Sequence, residues 1–253
     1  MNFSLEGKVA LITGGSRGIG KATALGFARA GADVAVTSRK IADLEETAKE
    51  IRALGRKSLA LAAHVGKMEE ISPLVAKVAE HFGKIDILVN NAGTSPALHP
   101  AMEAEERIWD VIMNLNLKGV FFLSQAVARV MKEHGGGSII NVASIEGLKP
   151  EPAIGIYGIS KAGVIAATKL MAVEWARYNI RANAIAPGNI HTRLGDQGFL
   201  VNPASEQETI KRTPLGRIGV PEEIVGAMIF LASDASKFIT GETITIDGGK
   251  MLT

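Results

Sequence analysis

The sequence predicts an α/β domain: a doubly wound parallel sheet of about seven strands with helices on both faces. Three observations predict it. Short apolar runs alternate with longer helix-patterned segments along the whole chain. A glycine cluster follows the first apolar run and opens the first helical segment. No internal repeat, low-complexity tract or linker divides the 253 residues, so one domain spanning residues 1–253 suffices.

Val9 to Ile12 reads as a buried strand, apolar on both faces. From Ile19 to Ala30 the period turns helical, and Gly31 stops it. Val34 to Thr37 is the second strand, and Ile41 to Leu54 is an amphipathic helix ended by Gly55. Leu59 to Ala63, Ile85 to Val89 and Ser138 to Val142 continue the strands. Ile71 to Phe82 is the helix after the third, and Ala104 to Met131 holds two helices broken near Asn114 to Asn116. A long helix from Ile156 to Tyr178 leads to a strand at Arg181 to Ala186. Pro221 opens a last helix to Ser233, where the missing N–H costs little, and Thr243 to Ile246 forms an edge strand. Gly188 to Gly219 lacks periodicity and reads as a substrate lid.

Composition narrows the function. With 28 basic and 26 acidic residues the net charge is +2, and the charges are scattered, which argues against nucleic-acid or anionic-membrane partners. No cysteine is present, so disulfides and thiolate metal sites are excluded. His64 has no second ligand at a suitable spacing, and no metal is expected. Met1 to Lys8 lacks the basic and apolar regions of a signal peptide, and no uninterrupted apolar run approaches roughly 20 residues. The expected location is the cytoplasm.

The cluster Thr13-Gly14-Gly15-Ser16-Arg17-Gly18-Ile19-Gly20 sits between strand and helix, where glycines let backbone approach a pyrophosphate and the helix start supplies N–H donors. An acid at the end of the second strand would bind a ribose 2′-hydroxyl and repel a 2′-phosphate. Ser38-Arg39-Lys40 stands there instead. Ser38 can donate to a phosphate, Arg39 can hold it and stack on adenine, and Arg17 can close from the other side. That pattern favours NADP(H) over NAD(H).

Tyr157 and Lys161 lie at i and i+4, neighbours on one helix face. A free tyrosine titrates near about 10, and a fixed cation beside it is expected to lower that value toward acid/base use.

The glycine loop, Tyr157 with Lys161, Asn90-Asn91-Ala92-Gly93, Ser144 and Pro187-Gly188, in this order from about Lys8 to Gly249, resemble a short-chain dehydrogenase/reductase. The resemblance implies a single Rossmann domain and extends to carbonyl-reductase and 3-oxoacyl-reductase members. It implies four catalytic residues: Tyr157 to move the proton, Lys161 to bind the nicotinamide ribose and tune Tyr157, Ser144 to hold the substrate oxygen, and Asn116 to anchor a water relay. Asn114 is a rival for that last role. It also implies cofactor contacts at Gly14, Ser16, Arg17, Gly18, Ile19, Gly20, Ser38, Arg39, His64, Val65, Asn91, Ala92, Gly93, Tyr157, Lys161, Pro187, Gly188, Ile190 and Thr192. Thr192 also reads as an ordinary helix cap.

Two departures from the family pattern stand out. His64-Val65 replaces the usual Asp before an apolar residue. Ser138 and Tyr178 stand where acyl-carrier-protein-dependent reductases carry basic residues, although Arg177 is adjacent. The substrate itself stays open: a small carbonyl or alcohol compound. Leu98, Ile145, Leu194, Phe199 and Leu200 suggest a partly apolar pocket, while Glu146 reads first as a solvated loop carboxylate and second as a contact for a polar or cationic substrate. Rival readings are an NAD-linked alcohol or polyol dehydrogenase and an NADP(H)-binding sensor without turnover. The resemblance further implies a homotetramer, with Phe230, Leu231 and Phe238 offering apolar contact.

Overall fold

Among the residues that the computed structural model describes (2–95, 100–152, 154–198 and 202–253), seven strands form. They are β1 Val9–Thr13, β2 Asp33–Ser38, β3 Ser58–Ala62, β4 Ile87–Asn90, β5 Gly137–Val142, β6 Ile180–Pro187 and β7 Thr243–Ile246. All pair in parallel, in the order β3-β2-β1-β4-β5-β6-β7. The helices are α1 Gly18–Arg29, α2 Ile41–Ala53, α3 Met68–Phe82, α4 Glu106–Met113, α5 Gly119–Glu133, α6 Gly155–Trp175, α7 Arg193–Gly198, α8 Pro203–Lys211 and α9 Glu222–Ala232.

Strand side chains alternate between two cores even where every residue is apolar. Ala10 and Ile12 join Phe27, Leu44 and Met228 on the face covered by α1, α2 and α9. Leu11 joins Leu74, Val78, Leu123, Val127 and Met171 on the face covered by α3, α5 and α6. Burying a side chain as large as Phe27, which is fully enclosed, contributes roughly 1.5–3 kcal/mol. Small residues let α1 approach closely: a Cβ on Gly26 would collide with Val225 of α9.

Three expectations change. No break separates the helices near Asn114; residues Asn114–Lys118 make one wide π turn that joins α4 to α5. The stretch 188–219 is not structureless, because α7 and α8 lie in it. α8 starts at Pro203 with a reciprocal cap, Ser205 N donating to Asn202 Oδ1 (2.9 Å) and Asn202 N to Ser205 Oγ (3.3 Å). The two ends of that stretch are tied by backbone bonds from His191 N to Gly219 O (2.9 Å) and from Gly219 N to Asn189 O (3.0 Å). Finally, the stretches Glu106–Glu133 and Gly155–Tyr178 each contain an 18-residue window of mean hydropathy 1.3, enough by length and composition to cross a membrane. Here about half of each apolar window, 44% and 50%, is buried within the fold.

Candidate active site

β1 and β4 are neighbours in the sheet, yet their following helices leave to opposite faces. A crevice opens at such a switch point, beyond the carboxyl ends of the strands. It forms a cleft of about 520 Å³ running from the glycine turn to Tyr157.

The nucleotide-facing end is shaped by main chain. Gly14 and Gly18 hold left-handed φ values of 66° and 54°, which favour glycine. A Cβ on Gly15 would come within 2.8 Å of Val36 Cγ1, and one on Gly20 would collide with Gly14 O and Asn91 Nδ2. Gly20 therefore supports the turn from behind and is not part of the cleft wall, contrary to its expected contact role. The first turn of α1 has neither a side-chain cap nor an acid, so its N–H groups stay available to an anion beside Ser16, Gly18 and Ile19. Asn91 staples this turn to β4: its Nδ2 donates to Thr13 O (2.9 Å) and Gly14 O (3.2 Å), and its N donates to Thr13 Oγ1 (2.9 Å). Its side chain is occupied in holding the loop.

Arg17, Ser38, Arg39, Val65, Ala92, Gly93, Pro187, Gly188, Ile190 and Thr192 all line the cleft, as the sequence suggests. His64 lines it too, but its ring turns back on its own loop, Nδ1 accepting from Gly66 N (3.1 Å). Thr192 Oγ1 accepts from Gly195 N (3.0 Å), so it does cap the start of α7. Sequence reading missed Asp43, Leu115, Asn189 and Arg193 on the walls. None carries a motif signal. Leu98, Phe199, Leu200 and Val201 lie outside the described residues.

At the other end, α6 brings Tyr157 and Lys161 against Ser144, which follows β5. Their exposures are 7%, 4% and 8%. Lys161 Nζ donates to Val142 O (2.7 Å) and stands 5.6 Å from the Tyr157 ring centroid. The titration behaviour differs from the sequence expectation. Burial pushes the Tyr157 phenol up to about 12; the hydrogen bond with Ser144 opposes that rise and the Glu146 charge adds to it. Burial likewise pushes the Lys161 ammonium down to about 8. Both groups are held toward their neutral forms, because desolvation outweighs the cation's pull on the phenol.

Asn116 is fully buried on the π turn and does not reach the cleft wall. Its Oδ1 accepts from Thr94 N (2.8 Å), and its Nδ2 donates to Thr94 O (2.9 Å) and Ser160 Oγ (3.2 Å). Asn114 does line the cleft. Glu146 is 7% exposed, which overturns its first reading as a solvated loop group. Burial and then the Glu151 charge raise its carboxyl above the ordinary range. Of the apolar residues proposed for oligomer contact, Leu231 is buried within the subunit, while Phe238 is fully exposed. Among the described residues, no group of three or more His, Cys, Asp or Glu could hold a metal ion.

The chain matches the family model described as enoyl-(acyl carrier protein) reductase over residues 14–250. It is 44% identical to the 2-dehydro-3-deoxy-D-gluconate 5-dehydrogenase of Escherichia coli K12, covering 98% of this chain and 96% of that one. It is 45% identical to the 3-oxoacyl-(acyl-carrier-protein) reductase of Thermotoga maritima, covering 98% and 99%. A crystal structure of a gluconate 5-dehydrogenase from Burkholderia cenocepacia, in complex with NADP and tartrate, superposes with a TM-score of 0.95 at 39% identity, covering 100% and 98%. Fold, glycine turn, the Ser144, Tyr157 and Lys161 corner and these full-length matches agree, and the chain belongs to the short-chain dehydrogenase/reductase family.

Proposed function

We propose that the protein transfers a hydride between NADP(H) and a carbonyl or secondary-alcohol substrate, with Tyr157 as the proton-transferring residue. The observation that carries this reading is the meeting of the Ser144 and Tyr157 hydroxyls, paired by a hydrogen bond, at the buried end of a cleft that starts at a glycine cradle. Two hydroxyls converging on one point suit a single polarised oxygen. They suit a carbonyl better than the carbon–carbon double bond that the family model's description names.

The cleft fits the cofactor. No side chain can enter the glycine turn, and the uncapped start of α1 supplies donors for a pyrophosphate beside Gly14, Ser16, Gly18 and Ile19. Ser38, Arg39 and Arg17 would hold a 2′-phosphate. Val65, Ala92 and Gly93 would face the adenine and its ribose, Lys161 the other ribose, and Pro187, Gly188, Ile190 and Thr192 the nicotinamide end. The cofactor, when bound, supplies or takes the hydride. The NADP in the Burkholderia relative supports this choice.

Ser144 orients the substrate oxygen. In reduction Tyr157 gives that oxygen its proton, and a phenol held up to about 12 stays protonated and ready at neutral pH. Lys161 keeps its ammonium beside the ring through its bond to Val142 O. The Asn116 amide is committed to Thr94 and Ser160, so its part in a water relay falls to its main-chain carbonyl. The same groups serve carbonyl reduction and alcohol oxidation, and the location proposed for the enzyme is the cytoplasm. The assembly is a homotetramer, supported by the exposed apolar side chains of α4, α5 and α6, among them Trp109, Phe122 and Val173.

The test is oxidation of NADPH and of NADH across ketones, aldehydes and 3-oxoacyl thioesters. Turnover is expected with NADPH above NADH, and Tyr157→Phe is expected to lower it by about 10²–10⁴-fold. Full activity in that variant would remove Tyr157 from the mechanism. Faster turnover with NADH would reverse the cofactor assignment.

A further inference from the structure

The substrate end of the cleft holds a second buried acid that the proton transfer does not use. Glu146 sits on the short turn Ile145–Gly147 that Ser144 caps, its N donating to Ser144 Oγ (3.2 Å). Its main-chain oxygen packs so near Gly158 that a Cβ there would stand 2.9 Å away, which places this turn beside Tyr157. The residue lines the cleft at 7% exposure, and its Oε2 has no hydrogen-bond partner. A buried carboxyl oxygen without a partner is costly to the fold. It persists where a ligand completes it.

The charges behind Glu146 narrow the class of that ligand. Glu151 is matched by Arg212 (2.9 Å) and by Lys250, whose Nζ lies 3.4 Å from the same oxygen. Lys250 is itself 7% exposed and also donates to Asn189 Oδ1 (3.1 Å) on the cleft wall. Two cations therefore stand behind two acids, and the corner has no net pull on an ammonium group. A neutral hydroxyl is what it can pair.

We propose that Glu146 is a specificity-determining residue: its carboxyl pairs with a substrate hydroxyl on the carbon next to the one held by Ser144 and Tyr157. The enzyme is then tuned to hydroxylated ketones and their alcohols over alkyl or acyl ones. The assignment rests on the hydride-transfer reading above.

Hydroxyacetone and butanone differ by a hydroxyl in place of a methyl, and erythrulose extends the hydroxylated series. Steady-state NADPH oxidation with each ketone reads the ratio of kcat/KM for hydroxyacetone over butanone. The wild type is expected to favour hydroxyacetone by about tenfold or more, and erythrulose at least as much. Glu146→Leu is expected to cut that ratio about tenfold. Glu146→Gln, which keeps volume and an acceptor, is expected to give a smaller cut. NADPH titration and a melting curve check that both variants are folded. A ratio unchanged in Glu146→Leu, with both substrates falling in step, would overturn the assignment and make Glu146 a support for the Ser144 turn. A wild type preferring butanone would overturn it as well. A wild type inert toward these three ketones but active with 3-oxoacyl thioesters would overturn it too, whereas one inert toward the whole carbonyl panel above, and toward the alcohols in reverse, would instead overturn the hydride-transfer reading on which it rests.

Discussion

The two ends of the cleft are made of different material. At the nucleotide-facing end the shape comes from backbone: Gly14, Gly15, Gly18 and Gly20, held in place by the Asn91 amide. At the substrate end it comes from side chains, Ser144, Glu146, Tyr157 and Lys161, every one less than a tenth exposed, with Lys250 buried behind them. Backbone in a fixed turn recognises a constant feature such as a pyrophosphate, and its binding has no proton to lose. Buried side chains carry ionisation states that their surroundings can move. One fold can therefore keep one end constant and retune the other residue by residue.

The comparison breaks hardest at Gly20. A Cβ there collides with Gly14 O and Asn91 Nδ2, so Gly20→Val must displace the start of α1 or the turn itself. Overpacking of this kind costs about 1–3 kcal/mol, which is roughly a tenfold to hundredfold loss of NADPH affinity. A fluorescence titration giving the wild-type affinity would show that close backbone approach does not govern that end.

Lys250→Met probes the other end. It removes the partner of Glu151 and Asn189 and leaves Arg212 alone against Glu151. A stability loss of roughly 1–3 kcal/mol is expected in urea unfolding. KM for a hydroxylated ketone should rise about threefold to tenfold, on the scale of one hydrogen bond, while NADPH affinity stays at the wild-type value. Equal losses at both ends would dissolve the distinction between them.

The subtlest readout is stability against pH. The folded Lys161 value, about 8, lies below its ordinary 10.5, so in that window the unfolded chain binds the proton that the folded protein has shed. Stability therefore rises with pH from about 8 toward 10.5. Tyr157 acts in the opposite sense at higher pH: its folded value near 12 exceeds 10.0, and stability falls between the two. Urea midpoints of the cofactor-free protein should climb above pH 8, and Lys161→Met should flatten the climb. A wild-type midpoint that does not move would mean that water reaches Lys161.

Much of this architecture was legible in the sequence because its signals are local. β1 and β2 are short apolar runs bounded by turn residues, and Tyr157 and Lys161 sit one helical turn apart wherever that helix packs. The glycine turn was legible as a motif, although Gly20 and Asn91 turned out to brace it. What escaped depends on contacts distant in sequence. Glu146 reads as a loop carboxylate until Glu151, Arg212 and Lys250 gather around it, the last from more than a hundred positions away. α8 escaped because it has no apolar stripe and starts on the Asn202 cap, while α7 was signalled only by Thr192 as a cap, which holds. The lowered Lys161 value also could not be read, since spacing gives proximity and says nothing of the burial that dominates it.

The π turn at Asn114–Lys118 bears on how this chain tolerates changes of length. It spends one residue more than a regular helix over the same distance, and the Gly119 N–H reaches back to Asn114 O across it. Deleting any one residue there would allow an unbroken α-helical ladder from Glu106 to Glu133. Because the lost residue is the surplus one, Ile108 and Ile112, both buried, would keep their phase relative to Leu123, Val127 and Met131. Asn116 would leave Thr94 in the same move. A residue lost from this stretch costs the Asn116 contacts and spares the helix faces, whereas one lost elsewhere in α4 or α5 would swing a whole face by about 100° out of register with the sheet.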